Sequence, residues 1–390
     1  MLFDYTTEKK PLQEYIKIIG DKLVIPPSQW LAMLDHYSKQ EIKPQLAEAI
    51  KGLPFPVREY TEQEVKSDWA KLKAEEISYA KESWLAPRQS KETPLLYRGE
   101  PVVFTCGNYG LKVSNQHSQI MRMKCGYHSG KAPVFEWENC DKKNSFLRCL
   151  FGILKSELAS KGIDQSTLYR ALKMHTYMAS QFKPSCAKTI YDFFGAKRVL
   201  DTSAGWGDRL VGFHASNAIS YIGIDPNSEL HQPYEEISNF CNTGKETKFI
   251  CSPAEDADLT GVEVDFVFTS PPYFDIERYS EEDTQSWKRY PTTDKWLEGF
   301  LFPMLSKSWG CLVEGGRIAI NIADKKGEDI CTPMLKHMES LGATYEGVVG
   351  YKLNKRNGIG LIGTFCEPIW IWSKGEAPEP KFKLENFFGV

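Results

Sequence analysis

The sequence predicts an α/β protein whose second half is a doubly wound, mostly parallel sheet. Three observations predict it. From about residue 182, short apolar runs alternate with segments of helical period. The first run, Arg198-Val199-Leu200-Asp201, empties into a glycine turn, Thr202-Ser203-Ala204-Gly205-Trp206-Gly207, with a helix starting near Asp208. Acids stand at the ends of the first three runs: Asp201, Asp225, and Glu255 with Asp256.

The elements follow in order. Pro184 can open a helix, Ala187, Ile190, Tyr191 and Phe194 recur at helical spacing, and Gly195 can end it. Strands are expected at 198–201, 220–225, 247–251 and 264–268. Leu297, Phe300, Leu301, Met304 and Leu305 form one helix face, which Pro303 should kink. Gly315-Gly316 leads into a strand at 317–321, and two late β runs lie near 344–351 and 367–373. Ahead of this half, residues 1–90 read as helices at 11–19, 27–38, 41–51 and 61–83. Residues 95–137 read as short strands (TPLLYRG, PVVFTC, APVFEW), and 144–180 as helical again. The expected organisation is a helical region 1–95, a basic α+β region 96–181, the sheet domain 182–375 and a tail 376–390.

Bulk properties narrow the class. With 390 residues, two or three domains fit. Hydrophobic content of 42% and charged content of 25% describe an ordinary globular chain. No stretch approaches the ~20 apolar residues of a membrane span. The polar start, MLFDYTTEKK, does not read as a signal peptide, and ten scattered cysteines suggest reduced thiols in a cytoplasmic setting. The net charge of −3 hides an asymmetry: residues 101–190 carry 13 Lys and Arg against 5 Asp and Glu. A basic segment on an acidic chain suits a polyanionic partner. Cys125-x-x-His128, with Cys106, His117 and Cys140, is too irregular for a zinc site, so no metal is expected.

The glycine turn suits a nucleoside-bearing cofactor. Glycine lets the backbone approach a ligand, and an acid such as Asp225, about 20 residues further on, can accept from a ribose diol. A dinucleotide fingerprint would place a third glycine where Leu210 stands. Asp201 and Asp208 flank the turn, and acids there repel a phosphate but suit the cationic sulfonium and amino group of S-adenosylmethionine.

The fourth run ends in Thr269-Ser270-Pro271-Pro272-Tyr273. Prolines cannot donate to a sheet ladder, so the strand must stop in a rigid corner beside the crevice. Ser270-Pro271-Pro272-Tyr273 resembles the motif of the amino-directed S-adenosylmethionine-dependent DNA methyltransferases, which modify N6 of adenine or N4 of cytosine. Phe182-Lys183-Pro184 is similar to that family's helix-opening element near the methionine carboxylate. Leu200-Asp201-x3-Gly205-x-Gly207 looks like its cofactor loop. The resemblance covers about 182–375 and implies a Rossmann-like class I methyltransferase sheet. It implies that Ser270, Pro271, Pro272 and Tyr273 act on the base. Lys183, Asp201, Ser203, Gly205, Gly207, Asp225, Glu255 and Asp256 are then implied to hold the cofactor.

A base amine is a poor nucleophile because its lone pair is delocalised into the ring. Acceptors aimed at its N–H bonds, the Pro271 carbonyl and the Ser270 hydroxyl, favour the pyramidal shape that can attack, while Tyr273 stacks on the base. The base must be flipped out or already unpaired. Within that family SPPY resembles mainly the cytosine-N4 enzymes, though adenine-N6 members also carry it, so the resemblance slightly favours cytosine N4. The polar connection 274–295 is long enough to close over a substrate, with Arg278, Lys288 and Arg289 as phosphate partners. By elimination the target-recognition region falls within 1–180, where Lys112, Arg122, Lys124, Lys131, Lys142, Lys143 and Arg148 are candidates for phosphate contact. RNA in place of DNA, a binding module without catalysis, and a nicotinamide-dependent oxidoreductase remain alternatives.

Overall fold

The computed structural model describes residues 8–86, 95–127, 130–140, 145–154, 162–325, 327–353 and 364–381. The chain divides into two compact units, Met1–Glu59 with Gln119–Ala179, and Tyr60–Ser118 with Ser180–Val390. Residues 96–181, read from the sequence as one region, contribute to both.

The first unit is mainly helical. Helices Pro27–His36, Lys39–Ile50, Ser145–Leu154 and Gln165–His175 bury Trp30, Met33, Ile42, Leu46, Phe146, Leu150, Leu168 and Leu172 in one core. Two expectations change here. The helix expected over 11–19 stops at Tyr15, and Lys17–Ile19 pairs with Lys22–Val24 as an antiparallel hairpin, turned at Gly20 with φ +63°. The APVFEW stretch is a helix, Pro133–Glu138, because Pro133 sits in its first turn where no N–H is needed. That helix turns Trp137 inward, and the indole N–H donates to the Leu53 carbonyl at 2.8 Å.

The second unit carries the sheet. Helix α1 (Glu62–Ala74) is closed at its start by a Thr61–Glu64 capping box and ends nine residues earlier than the expected 83. Seven strands form the body of the sheet: β1 (Arg198–Asp201), β2 (Ser220–Ile224), β3 (Glu246–Ile250), β4 (Val264–Thr269), β5 (Leu312–Asn321), β6 (Thr344–Lys352) and β7 (Thr364–Ser373). Their spatial order is β3-β2-β1-β4-β5-β7-β6. β3, β2, β1, β4 and β5 are mutually parallel, and β7 runs antiparallel to both β5 and β6. Val102–Phe104 and Tyr79–Lys81 extend the sheet beyond β6. This is a Rossmann-like doubly wound sheet with an antiparallel strand inserted near one end.

Period-2 alternation on β4 sorts the two faces. Phe266 and Phe268 meet α2 (Pro184–Phe194): Phe194 lies over Phe266 with centroids 5.5 Å apart, and Tyr191 lies edge-on to Phe268 at 5.8 Å. Val267 faces the other core with Ile318, Ile320, Trp370, Leu301, Met304 and Leu305. α2 starts at Pro184 and ends as expected at Gly195, whose φ of +69° closes it. α3 (Asp208–Ala215) approaches α2 so closely that a Cβ on Gly212 would stand 2.5 Å from the Pro184 carbonyl. At Pro303 the helix changes its winding. Leu297–Leu301 is a π-helical turn, and Pro303 falls in the first turn of the following helix, Phe302–Cys311.

Candidate active site

β1 bonds β2 on one side and β4 on the other, so successive connections leave in opposite directions from its carboxyl end. A crevice opens at such a point in doubly wound sheets. Around it stand the turn 202–207, Asp225, Glu255, the corner 270–273 and Asn321 at the end of β5.

The turn after β1 is held from beneath. Asp201 is fully buried and accepts from Arg209 Nε at 2.8 Å, Arg209 Nη2 at 3.2 Å, the Tyr221 hydroxyl at 2.8 Å and the Ser203 amide at 3.2 Å. Arg209 also donates to the Ser203 carbonyl. Burial works against the guanidinium charge, and Asp201 more than offsets it, raising the Arg209 pKa. Asp208 is buried too and accepts from Ser114 Oγ at 2.5 Å and Gln181 at 3.2 Å. Both acids that flank the turn are therefore engaged inside the protein. Gly205 and Gly207 have φ of +58° and +80°, and a Cβ on Gly207 would meet Ile237 Cδ1 at 2.6 Å. Glycine is needed there for both conformation and space.

Asp225 and Glu255 differ from Asp201. Among the described residues Asp225 accepts only from backbone N–H groups, Gly205 at 2.9 Å and Asn227 at 2.9 Å. Burial pushes its pKa up to about 6 against those two bonds and the nearby His231. Glu255 Oε1 accepts from Arg289 at 2.6 Å and the Tyr290 hydroxyl at 3.1 Å. Its Oε2 is buried without a hydrogen-bond partner among the described residues, and burial raises its pKa. Asp256 is half exposed and shares Arg289 at 2.8 Å. Lys183 caps α2; its Nζ donates to the carbonyls of Cys106 at 3.3 Å and Lys352 at 3.5 Å and lies 5.7 Å from the Tyr351 ring centre.

The Pro-Pro corner follows directly on β4. Thr269 Oγ1 is buried with no partner, Ser270 Oγ donates to Asn321 Oδ1 at 3.2 Å, and Pro271 is buried. Phe274, next after Tyr273, has φ of +57°, a conformation rare outside glycine.

The connection 274–295 crosses the carboxyl ends of three strands. Tyr279 lies 5.6 Å from Trp206 in the turn after β1. Glu282 accepts from Ser228 Oγ at 2.6 Å and Ser228 N at 3.2 Å after β2, and Thr284 Oγ1 donates to the Pro226 carbonyl at 3.4 Å. Arg289 and Tyr290 reach Glu255 after β3.

The cations expected to meet phosphates have varied surroundings. Arg289 holds Glu255 and Asp256. Lys288 faces Asp283 at 3.4 Å and Glu281 at 3.6 Å. Arg278 stacks 4.7 Å from Trp287, and its Nε has no hydrogen-bond partner. Lys112 faces Glu64 at 3.4 Å. In the helical unit Arg122 is buried and donates to the Ala179 carbonyl at 3.1 Å, Lys131 lies over Phe135 at 4.9 Å, and Lys124 and Arg148 are exposed. His128, Lys142 and Lys143 lie outside the described residues. Among the described residues no cluster of His, Cys, Asp and Glu could hold a metal, and no helix is long and apolar enough to cross a membrane.

Sequence reasoning missed Arg209 and Asn321. Asn321 carried a signal, since it ends a strand on the edge where ligands bind. Arg209 carried none, because its role depends on the turn of α3 onto Asp201.

No family model matches the chain, and no curated protein matches it. Among solved structures, TrmN from Thermus thermophilus is 14% identical with a TM-score of 0.35, covering 50% of this chain and 49% of its own, so the chain spans about half its length. A methyltransferase from Pyrococcus furiosus is 16% identical with a TM-score of 0.35, covering 50% of this chain and 84% of its own. An S-adenosylmethionine-dependent O-methyltransferase from Thermotoga maritima is 12% identical with a TM-score of 0.35, covering 53% and 71%. Likeness at these values carries no function across.

Proposed function

We propose that the protein is an S-adenosylmethionine-dependent methyltransferase acting on an exocyclic amino group of a base in DNA, with cytosine N4 favoured over adenine N6. The observation that supports it most is the place of Ser270-Pro271-Pro272-Tyr273, at the carboxyl end of β4, beside the switch point between β1 and β4.

The residues present fit the cofactor. Glu255 Oε2 is a buried acceptor with no partner, suited to an N–H or O–H donor of a nucleoside. Asp225, bonded only by two backbone amides, has lone pairs left for a ribose diol. Gly205 and Gly207 let the backbone approach a ligand. Of the remaining candidates, Asp201 and Ser203 hold the loop, Asp256 steadies Arg289, and Lys183 has one N–H beyond its two carbonyl bonds for a carboxylate. When bound, S-adenosylmethionine supplies a methyl carbon on a cationic sulfur: the N–C bond forms as the S–C bond breaks, a neutral thioether leaves, and the nitrogen sheds one proton.

The chain's own part is positioning. The Ser270 hydroxyl and the Pro271 carbonyl accept the two N–H bonds of the amine and favour its pyramidal form. Tyr273 gives the base a ring to stack on, and the 274–295 connection excludes water. Partners of this chemistry must present an unpaired or flipped base.

The test uses methyl-deuterated cofactor with duplex DNA, single-stranded DNA and RNA, followed by mass spectrometry of the released nucleosides. Labelled N4-methylcytosine or N6-methyladenine from DNA is the expected result. Label only in RNA would replace the polymer, and no label in any base amine would overturn the reading.

A further inference from the structure

Serine opens the tetrapeptide at 270, and a hydroxyl can either donate or accept. A donor pointed at an amine would occupy the lone pair that must attack, whereas an acceptor takes an N–H and leaves the pair free. The side chains behind Ser270 decide which it is.

The chain of bonds starts at Pro368 on β7. Its carbonyl can only accept, and it takes a hydrogen bond from Asn321 Nδ2 at 3.0 Å. That contact fixes which end of the Asn321 amide points where. Oδ1 must then face the other way, and it stands 3.2 Å from Ser270 Oγ. The Tyr273 hydroxyl is the other polar group beside Ser270, and it turns to the Asn321 main-chain carbonyl at 3.5 Å. An amide oxygen has no proton to give, so in the Ser270–Asn321 bond the hydroxyl hydrogen of Ser270 lies on Asn321 Oδ1. Asn321 is 1% exposed, so water does not compete at its amide. The β5–β7 ladder holds the pair in register, with Asn321 opposite Ile369.

We propose that Asn321 is a positioning residue that makes Ser270 an obligate hydrogen-bond acceptor toward the crevice. With its hydrogen committed to Asn321, Ser270 Oγ presents lone pairs only. Resting on the methyltransferase reading, this gives Ser270 the acceptor polarity that a carboxylate would have by charge. None of the three groups, Ser270, Asn321 and the Pro368 carbonyl, titrates in the working range of an enzyme. The arrangement therefore orients the substrate amine without acting as its base, and the proton shed on methylation leaves to solvent when the 274–295 connection opens.

Two measurements test this. The first is neutron diffraction from crystals of the full chain in deuterated buffer, which needs no activity. The deuteron of Ser270 is expected on the line to Asn321 Oδ1, with both Asn321 Nδ2 deuterons on the Pro368 side. A Ser270 deuteron pointing into the crevice would overturn the proposal, whatever the enzyme does.

The second is a double-mutant cycle on methyl transfer with Ser270→Ala, Asn321→Ala and the pair, with cofactor affinity by calorimetry as the control for folding. Asn321→Ala is expected to lower kcat about 10- to 100-fold with unchanged cofactor affinity, and the pair to be no slower than Ser270→Ala alone. Losses that multiply would show that the two residues act independently, against the proposal. Asn321→Asp adds a pH signature. Ionised, its carboxylate still accepts from Ser270 but repels the Pro368 carbonyl, so its kcat should fall as pH rises and the acceptor is displaced, while the wild type shows no such limb. A flat profile would count against Pro368 as the group that sets the amide. Absence of methyl transfer by the wild type, with the neutron result as expected, would sink the functional reading and leave the geometry standing.

Discussion

After β1, every acid is tied into the protein; after β3 and β4, polar atoms are left over. Asp201 carries four hydrogen bonds and no exposure, whereas Glu255 Oε2 and Thr269 Oγ1 are buried with none. A buried polar atom without a partner costs stability, typically about 1–3 kcal/mol. One edge of the crevice is thus scaffold, and the other keeps bonding capacity in reserve. The difference teaches that an acid at the end of a strand is not by itself a ligand group. What it already bonds decides.

Breaking the scaffold side should have the largest effect. Asp201→Ala leaves the Arg209 guanidinium buried without its partner, and a loss of about 3–5 kcal/mol in denaturant unfolding is expected. A loss below about 1 kcal/mol would mean that the bolt is not one. On the working side, Ser270→Ala should lower kcat about 100-fold while the unfolding midpoint stays in place. If stability fell instead, the contrast between the two edges would collapse.

Asp225 sharpens the contrast through pH. Its folded pKa of about 6 lies above the ordinary value of 3.8, because burial outweighs the Gly205 and Asn227 amides and His231, with Asp201 adding to the rise. The native state therefore holds the proton more tightly, and the free protein loses stability as pH rises from about 4 to about 6. A diol donating to Asp225 favours the ionised form. Affinity for S-adenosylhomocysteine should be about tenfold weaker at pH 5 than at pH 7, and Asp225→Asn should flatten that dependence. The smallest effect is expected from Arg289→Ala. Its ion pairs with Glu255 and Asp256 are partly exposed, so cofactor affinity by calorimetry should change only about two- to fivefold.

Much of this frame was legible in the sequence. Pro184 and Gly195 bracket α2 as expected, and the order of strands after Arg198 could be read from period and glycine. The corner at 270–273 announced itself because proline has only one way to behave at a strand end. The helix Leu111–Met123 lies between the β-like runs of 95–137 and gives no helical signal of its own, because part of its inward face is polar: Ser114 bonds Asp208 and Ser118 bonds the Trp206 carbonyl. Hydrophobic period cannot find a helix buried through hydroxyls. The candidate site was legible as a set of residues at strand ends, but not their division into tied and spare. Arg209 and Asn321, which make that division, act through contacts 8 and 51 residues along the chain.

The stretch from Tyr279 to Tyr290 hangs over the crevice from anchors at Trp206, Pro226, Ser228 and Glu255. These anchors are a ring contact and a few polar bonds at the rim, whereas the strands below are buried in ladders. A canopy of this kind opens by local unfolding, at a free energy well beneath that of the whole domain. Its amides should exchange with deuterium long before those of the central strands, so a guest could enter or leave while the floor of the crevice stays fixed.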